Sequence, residues 1–208
     1  MRIDVFHDTV CPWCRIGKAH LKQALAQWDA EPVEIHYHTF FLNPSILPGG
    51  YNFREYMTAK GGGQVPMEDW FARPREIGAR AGLTFNFEKI EHAPNSLLSH
   101  RLIYITPAEQ KEAMIDALYA AYFEHGQNIG DVDVLVSIAQ QQGLAPRATR
   151  DQLMGDVGTQ QVMDDDRQAR ELGIMGVPFF LFPNRLGFSG AEPPNVILRV
   201  LKAVHEQD

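Results

Sequence analysis

The sequence predicts an α/β protein whose sheet is assembled from the two ends of the chain, with a block of helices inserted between them. Three observations predict it. The opening residues alternate as a strand and run directly into an amphipathic helix that begins with two cysteines. The closing segment holds a short apolar run introduced by Gly176-Val177-Pro178, a second short strand and a final helix. The long middle carries helix start and stop signals instead of strand patterns.

The elements follow in order. Met1 to His7 alternates with the period of a strand, and from about Pro12 the pattern becomes helical, with Leu21, Ala24, Leu25 and Trp28 recurring at i, i+3, i+4 and i+7. A second strand follows, with Val33, Ile35 and Tyr37 on an apolar face and Glu34, His36 and His38 on a polar face expected to meet solvent. If it runs parallel to the first strand, His38 comes near the active-site edge. Helices are expected around Phe53 to Lys60, Glu68 to Ala81 and Asn95 to Ile105, the last with Asn95 as N-cap. Thr106-Pro107-Ala108-Glu109 reads as a capping box opening a helix to about His125, which Gly126 ends. Asp131 caps another helix, through Leu135, Ile138 and Ala139, closed by Gly143. Gly61-Gly62-Gly63 reads as a flexible loop, and Asp164-Asp165-Asp166 as a solvated helix start.

At the far end, Pro178 stands where a strand tolerates proline, at its beginning, and Phe179-Phe180-Leu181-Phe182 reads as buried strand, not as a cofactor box. Pro183-Asn184-Arg185 has turn composition, so Leu186-Gly187-Phe188-Ser189 closes a hairpin. Pro193-Pro194 introduces a helix with Val196, Ile197, Val200, Leu201 and Val204 in one stripe. The expected domains are therefore a discontinuous sheet domain, 1–42 and 157–208, and a helical insertion, 43–156.

Composition excludes several classes of function. The chain has 208 residues, ordinary hydrophobic content of 45% and a formal net charge of −7. Its basic residues are scattered and give no nucleic-acid footprint. No stretch approaches a membrane span, and the chain enters its first strand without a basic and apolar leader, so a cytoplasmic location is expected. A cytoplasmic glutathione pool keeps most thiols reduced.

The chemistry points to Cys11 and Cys14, the two cysteines of the chain. At i and i+3 on a helix their Cβ atoms are neighbours, so the sulfurs can bond or open as a dithiol with little backbone movement. Cys11 falls at the mouth of the helix, where Pro12 suits the first helical position and unpaired amides with the positive dipole end favour a thiolate. Cys11 is thus the expected nucleophile, and Cys14, one turn inside and less exposed, the resolving thiol. Pro12 and Trp13 tune the pair. Trp13 brings neither charge nor imidazole donor, which implies a less oxidising pair than a histidine there would make. Half of a zinc site is the competing reading, since eight histidines accompany the pair and His7, His20, His36 and His38 are candidates. With no second CxxC and no HxxxH, no metal is expected; His7 could instead tune Cys11.

The segments Asp8 to Lys18, Ala93-Pro94-Asn95-Ser96, Gly176 to Phe180 and Ser189-Gly190-Ala191 together resemble DsbA-family thioredoxin-fold oxidoreductases of the FrnE type. The resemblance spans nearly the whole chain. It implies a thioredoxin fold with an inserted all-helical subdomain, and thiol–disulfide exchange through a mixed disulfide. It implies a cis-proline at Pro178 facing the redox pair, with the backbone of Val177 presented to an extended substrate segment. No cofactor beyond the Cys11–Cys14 disulfide is implied, with glutathione a candidate co-substrate. The implied partners are protein or small-molecule thiols and disulfides. The chain is also similar to kappa-class glutathione transferases and hydroxychromene-carboxylate isomerases, which typically place serine at the first cysteine position; this chain keeps both cysteines. A zinc-binding or chaperone-like module without enzymatic activity is the third alternative.

Overall fold

A computed structural model of the protein describes residues 1–62, 66–183 and 186–207. In chain order the elements are β1 (Arg2–His7), α1 (Pro12–Leu25), β2 (Glu34–Thr39), β3 (Tyr51–Asn52), α2 (Phe53–Lys60), α3 (Met67–Arg80), β4 (His92–Ala93), α4 (Leu97–Ile105), α5 (Lys111–Phe123), α6 (Val132–Gln141), α7 (Pro146–Met154), α8 (Thr159–Glu171), β5 (Phe179–Leu181), β6 (Gly187–Ser189) and α9 (Pro194–His205). They form two units, Met1–Leu42 with Asp165–Asp208, and Asn43–Asp164.

The first unit carries a four-stranded sheet in the order β2-β1-β5-β6. Strand β1 pairs parallel with β2, from Arg2↔Glu34 to His7↔Thr39, and antiparallel with β5, Val5 opposite Phe180. Alternation then separates two cores. Ile3, Val5, Phe180 and Phe182 pack with Leu21 and Ala24 of α1 and with Ile197, Leu201 and Val204 of α9. Phe6, Phe40, Ala169 and Ile174 pack on the other face with Val177, Phe179 and Leu181. Phe180 is fully buried and stacks on Phe188 at 4.6 Å; burying such a side chain is worth about 3 kcal/mol. This is the thioredoxin arrangement with the helical insertion between β2 and β5. Within α1, Gly17 is an anomaly of propensity, since glycine inside a helix is about 1 kcal/mol less favourable than alanine.

The acidic run departs from expectation. Asp164, Asp165 and Asp166 lie well inside α8 and do not start it, because the helix begins at Thr159. Asp165 accepts hydrogen bonds from the Thr39 N–H and from His38 Nδ1, and Asp166 accepts from the Phe41 N–H at 2.7 Å and from Arg170. These two carboxylates satisfy backbone donors at the end of β2, where the strand stops pairing. Accordingly, the return to the sheet unit falls at Asp165, within α8, and not at residue 157. His38 is likewise not a solvated side chain. Its Nε2 reaches Asp4 at 2.7 Å, its Nδ1 reaches Asp165 at 2.9 Å, and its ring stacks on Phe6 at 4.9 Å. Both ring nitrogens facing carboxylates select the doubly protonated imidazolium.

The second unit is helical apart from a two-residue antiparallel ladder, Tyr51↔Ala93 and Asn52↔His92. Asn52 ends that ladder by turning its side chain to cap α2, accepting from the Glu55 N–H. The core is aromatic: Phe53, Phe71 and Phe87 stack in series, and Phe123 meets Phe85 edge-on. Asp131 caps α6 as expected, accepting from the N–H groups of Asp133 and Val134. The expected capping box at Thr106 does not form, because the Thr106 hydroxyl donates back to Leu102 O of α4; α5 starts at Lys111 after a 3-10 turn. Asn95 precedes the cap residue Ser96, accepting from the Leu97 N–H and donating to Ile46 O. Gly63 of the expected Gly61-Gly62-Gly63 loop and Asn184-Arg185 of the expected hairpin turn lie outside the described residues.

The His38 cluster generates a pH-dependent stability. Burial by itself lowers the His38 pKa, but hydrogen bonds and attraction from Asp165 and then Asp4 outweigh it, so the net shift is upward from 6.5. Asp4 is held low: burial raises its pKa, and Arg2 and His38 more than offset this. A raised folded-state pKa means that the His38 contribution is complete below the unfolded value and fades as pH rises through the folded one. We expect His38→Gln to cost about 2 kcal/mol at pH 6, the scale of hydrogen bonds to charged groups, and clearly less at pH 9. Urea denaturation at the two pH values measures this; an equal loss at both contradicts the assignment.

Candidate active site

The cysteine pair lies within the sheet unit, where β1 hands over to α1. Cys11 is the N-cap residue of α1 with an extended backbone (φ −96, ψ 113), and its side chain does not cap its own helix. Pro12 occupies the first helical turn, where no N–H is required. The Cys11 N–H donates to Asp8 O at 3.1 Å, and the Cys11 carbonyl accepts from the Cys14 N–H at 3.1 Å. The first turn therefore holds the two residues in i, i+3 register. No bond joins the two sulfurs in this structure.

The distant segment expected to meet them does so. Cys11 Sγ donates to Val177 O at 3.7 Å, across 166 residues of sequence. The Val177–Pro178 peptide is cis. Pro178 is buried, and its carbonyl accepts from the Gly190 N–H at 2.8 Å, which ties the start of β5 to the end of β6. Among the described residues the Val177 N–H has no hydrogen-bond partner. Pro12 and Trp13 are each half-buried beside the cysteines.

One expectation about exposure is corrected. Cys11 and Cys14 are equally shielded, each 2% exposed, because the start of β5 covers Cys11 as completely as the helix covers Cys14. The two thiols differ in electrostatics instead. Burial first, and then the hydrogen bond and charge of Cys11, push the Cys14 thiol well above the ordinary range. One member of the pair, Cys14, is thereby held as a neutral thiol.

Two of the candidate histidines make contacts of their own. His7 is buried and meets Tyr37 edge-on at 5.5 Å. His20 Nδ1 lies 2.9 Å from Glu192 O and 3.3 Å from Ala191 O, joining α1 to the loop before α9. Among the described residues no group of three or more His, Cys, Asp or Glu side chains is placed to hold a metal ion. Two residues of the site were not singled out from sequence. Asp8, fully buried, accepts from the Leu42 N–H at 2.7 Å and fixes the turn before Cys11. Gly17 faces Pro178, and its signal was present as a glycine inside a helical pattern.

No helix among the described residues is long and apolar enough to cross a membrane. The family model of the DSBA-like thioredoxin domain matches residues 2–202. The chain is 27% identical over 191 residues to the uncharacterized protein YwbO of Bacillus subtilis, covering 87% of this chain and 86% of that one. The structure is similar to that of the probable DsbA oxidoreductase of Streptomyces coelicolor, with a TM-score of 0.92, 29% identity, and coverage of 100% of this chain and 91% of that one. It shares its fold with a 2-hydroxychromene-2-carboxylate isomerase at a TM-score of 0.74 and 14% identity, over 100% of this chain and 97% of that one.

The raised Cys14 thiol yields a direct expectation. In a Cys11→Ser variant, which isolates Cys14, alkylation by iodoacetamide at pH 7.5 should be at least about tenfold slower than for a free thiol, since the thiolate is the reacting form. A rate equal to that of free cysteine contradicts the burial effect.

Proposed function

The chain belongs to the family of DSBA-like thioredoxin domains, and from that premise we propose that it is a thiol–disulfide oxidoreductase working through its Cys11-Pro12-Trp13-Cys14 pair. The observation that carries this reading is the position of Cys11: at the opening of α1, with its sulfur 3.7 Å from the Val177 carbonyl. The helix end favours a thiolate, and the Val177 backbone offers an edge to which an extended substrate segment can pair.

Exchange then proceeds in two balanced steps. The Cys11 thiolate attacks one sulfur of a substrate disulfide, forming a Cys11–substrate bond and releasing the other substrate sulfur as thiolate. Cys14 loses its proton and attacks Cys11 Sγ, forming the Cys11–Cys14 disulfide and releasing the second substrate thiolate. The oxidised protein runs the same steps backwards with a dithiol, so the pair's potential against that of its surroundings sets the direction. Trp13 adds no charge to the thiolate and supports a pair less oxidising than a histidine there would make. Glutathione fits as a co-substrate, being a small thiol that can occupy the mixed-disulfide step.

The matching segments from Asp8 to Lys18, Gly176 to Phe180 and Ser189 to Ala191 support the FrnE type within the family. The rival reading is a glutathione-dependent transferase or isomerase, and the shared fold does not decide between them. The dithiol favours the oxidoreductase: a cysteine at position 11 with a partner at position 14 supplies a resolving step that a lone serine lacks.

Two outcomes test this. With a peptide disulfide as substrate, Cys14→Ser should trap a mixed disulfide on Cys11, visible by mass spectrometry. Cys11→Ser should slow exchange at least about a hundredfold, since the nucleophile is lost. Like behaviour of the two variants would overturn the roles. The purified protein should also carry less than one equivalent of zinc and keep its fold in a chelator; stoichiometric metal with unfolding on chelation favours a structural site.

A further inference from the structure

Glycine in the interior of α1 runs against helix propensity, and its surroundings explain it. A Cβ built on Gly17 would lie 2.9 Å from Pro178 Cγ, 3.2 Å from Phe180 Cζ and 3.4 Å from Pro178 Cβ. The first distance is closer than side-chain carbons approach. Neither neighbour can swing aside. The Pro178 ring is closed onto its own backbone, and Phe180 is fully buried and stacked on Phe188. A side chain at position 17 would therefore displace the backbone at the start of β5, and the same backbone holds the Val177 carbonyl against Cys11 Sγ.

We propose that Gly17 is a positioning residue of the dithiol site: its missing side chain lets Pro178 seat directly on α1 and thereby sets the gap between Cys11 and the Val177 backbone. The inference rests on the exchange reading above and adds a specificity element to it. Cys11, Cys14 and Gly17 recur at i, i+3 and i+6 along α1, so one helix edge carries the nucleophile, the resolving thiol and the seat. The seat acts on substrates that use the Val177 backbone and is indifferent to those that offer a sulfur alone. Gly17 thus favours extended peptide disulfides over compact ones without touching either sulfur.

The test compares Gly17→Ala with the wild-type protein on two substrates. One is a peptide disulfide with several extended residues around the cysteine; the other is 5,5′-dithiobis(2-nitrobenzoic acid), which has no backbone to pair. Gly17→Ala should raise KM for the peptide about tenfold and leave the rate with the aromatic disulfide within about twofold. In a Pro178→Ala background the Gly17→Ala effect on peptide KM should shrink to within about twofold, because the tightest contact, 2.9 Å to Pro178 Cγ, has been removed while those at 3.2 and 3.4 Å need only small adjustments. Equal losses on both substrates, an unchanged peptide KM, or an undiminished effect in the Pro178→Ala background overturns the proposal. Crystal structures of the reduced wild type and Gly17→Ala give a reading that needs no activity: the Cys11 Sγ to Val177 O separation should widen, and an unchanged separation overturns the proposal. If the wild type exchanges neither substrate, the oxidoreductase reading fails while this comparison still decides Gly17. Should Gly17→Ala not fold, folding of the Gly17→Ala, Pro178→Ala double variant supports the contact, and its failure overturns it.

Discussion

Strand β1 is paired on both sides, parallel to β2 and antiparallel to β5, and this double pairing determines where the chemistry can be placed. The last β1–β5 pair is Phe6↔Phe179. Continuing that register by one and two steps brings Pro178 and Val177 level with the residues that lead into Cys11. The site is thus a product of register. A slip by one residue would turn Phe180 out of the core and carry the Val177 carbonyl past the sulfur, so the packing that fixes the sheet also fixes the site.

The two faces of the sheet then divide the labour. One face packs α1 and α9 over Ile3, Val5 and Phe180, which anchors the helix whose first turn holds the thiols. The other face, around Phe6 and Phe40, receives the C-terminal part of α8, where Asp165 and Asp166 satisfy the donors left open at the end of β2. Buried donors without partners are costly, so these carboxylates are structural requirements. His38 between Asp4 and Asp165 belongs to the same solution, a cation satisfying two carboxylates that would otherwise repel.

Much of this was legible in sequence, for reasons particular to each segment. The cysteine spacing, the proline after Cys11 and the apolar run from Phe179 to Phe182 are local signals, and local signals survive folding. The Asp131 cap did too. The misreadings share a cause, which is that a polar side chain's partner can lie far along the chain. Asp165 and Asp166 looked solvated because their oxygens meet Thr39, His38 and Phe41, more than a hundred residues away. Thr106 looked like a cap because nothing local reveals that its hydroxyl turns back to Leu102. Of the site itself, the motif placed the sulfurs, while their equal burial followed from the tertiary cover of β5 and was invisible in the pattern.

That equal burial bears on how the pair divides its roles. When two thiols are shielded alike, accessibility cannot choose the nucleophile, and the choice falls to which sulfur better tolerates a charge. Cys11 stands where unpaired helix amides and the dipole favour an anion. Cys14 lies in a fully desolvated position where the neighbouring sulfur makes a second charge worse, which is why its thiol is held up. Repulsion between the sulfurs thus opposes a charge on Cys14 whenever Cys11 carries one. Were Cys11 bonded to a substrate sulfur, its hydrogen bond and charge would no longer raise the Cys14 thiol, leaving burial and the Asp8 charge to do so. On the exchange reading proposed above, forming the mixed disulfide would therefore itself favour the ionisation that resolves it.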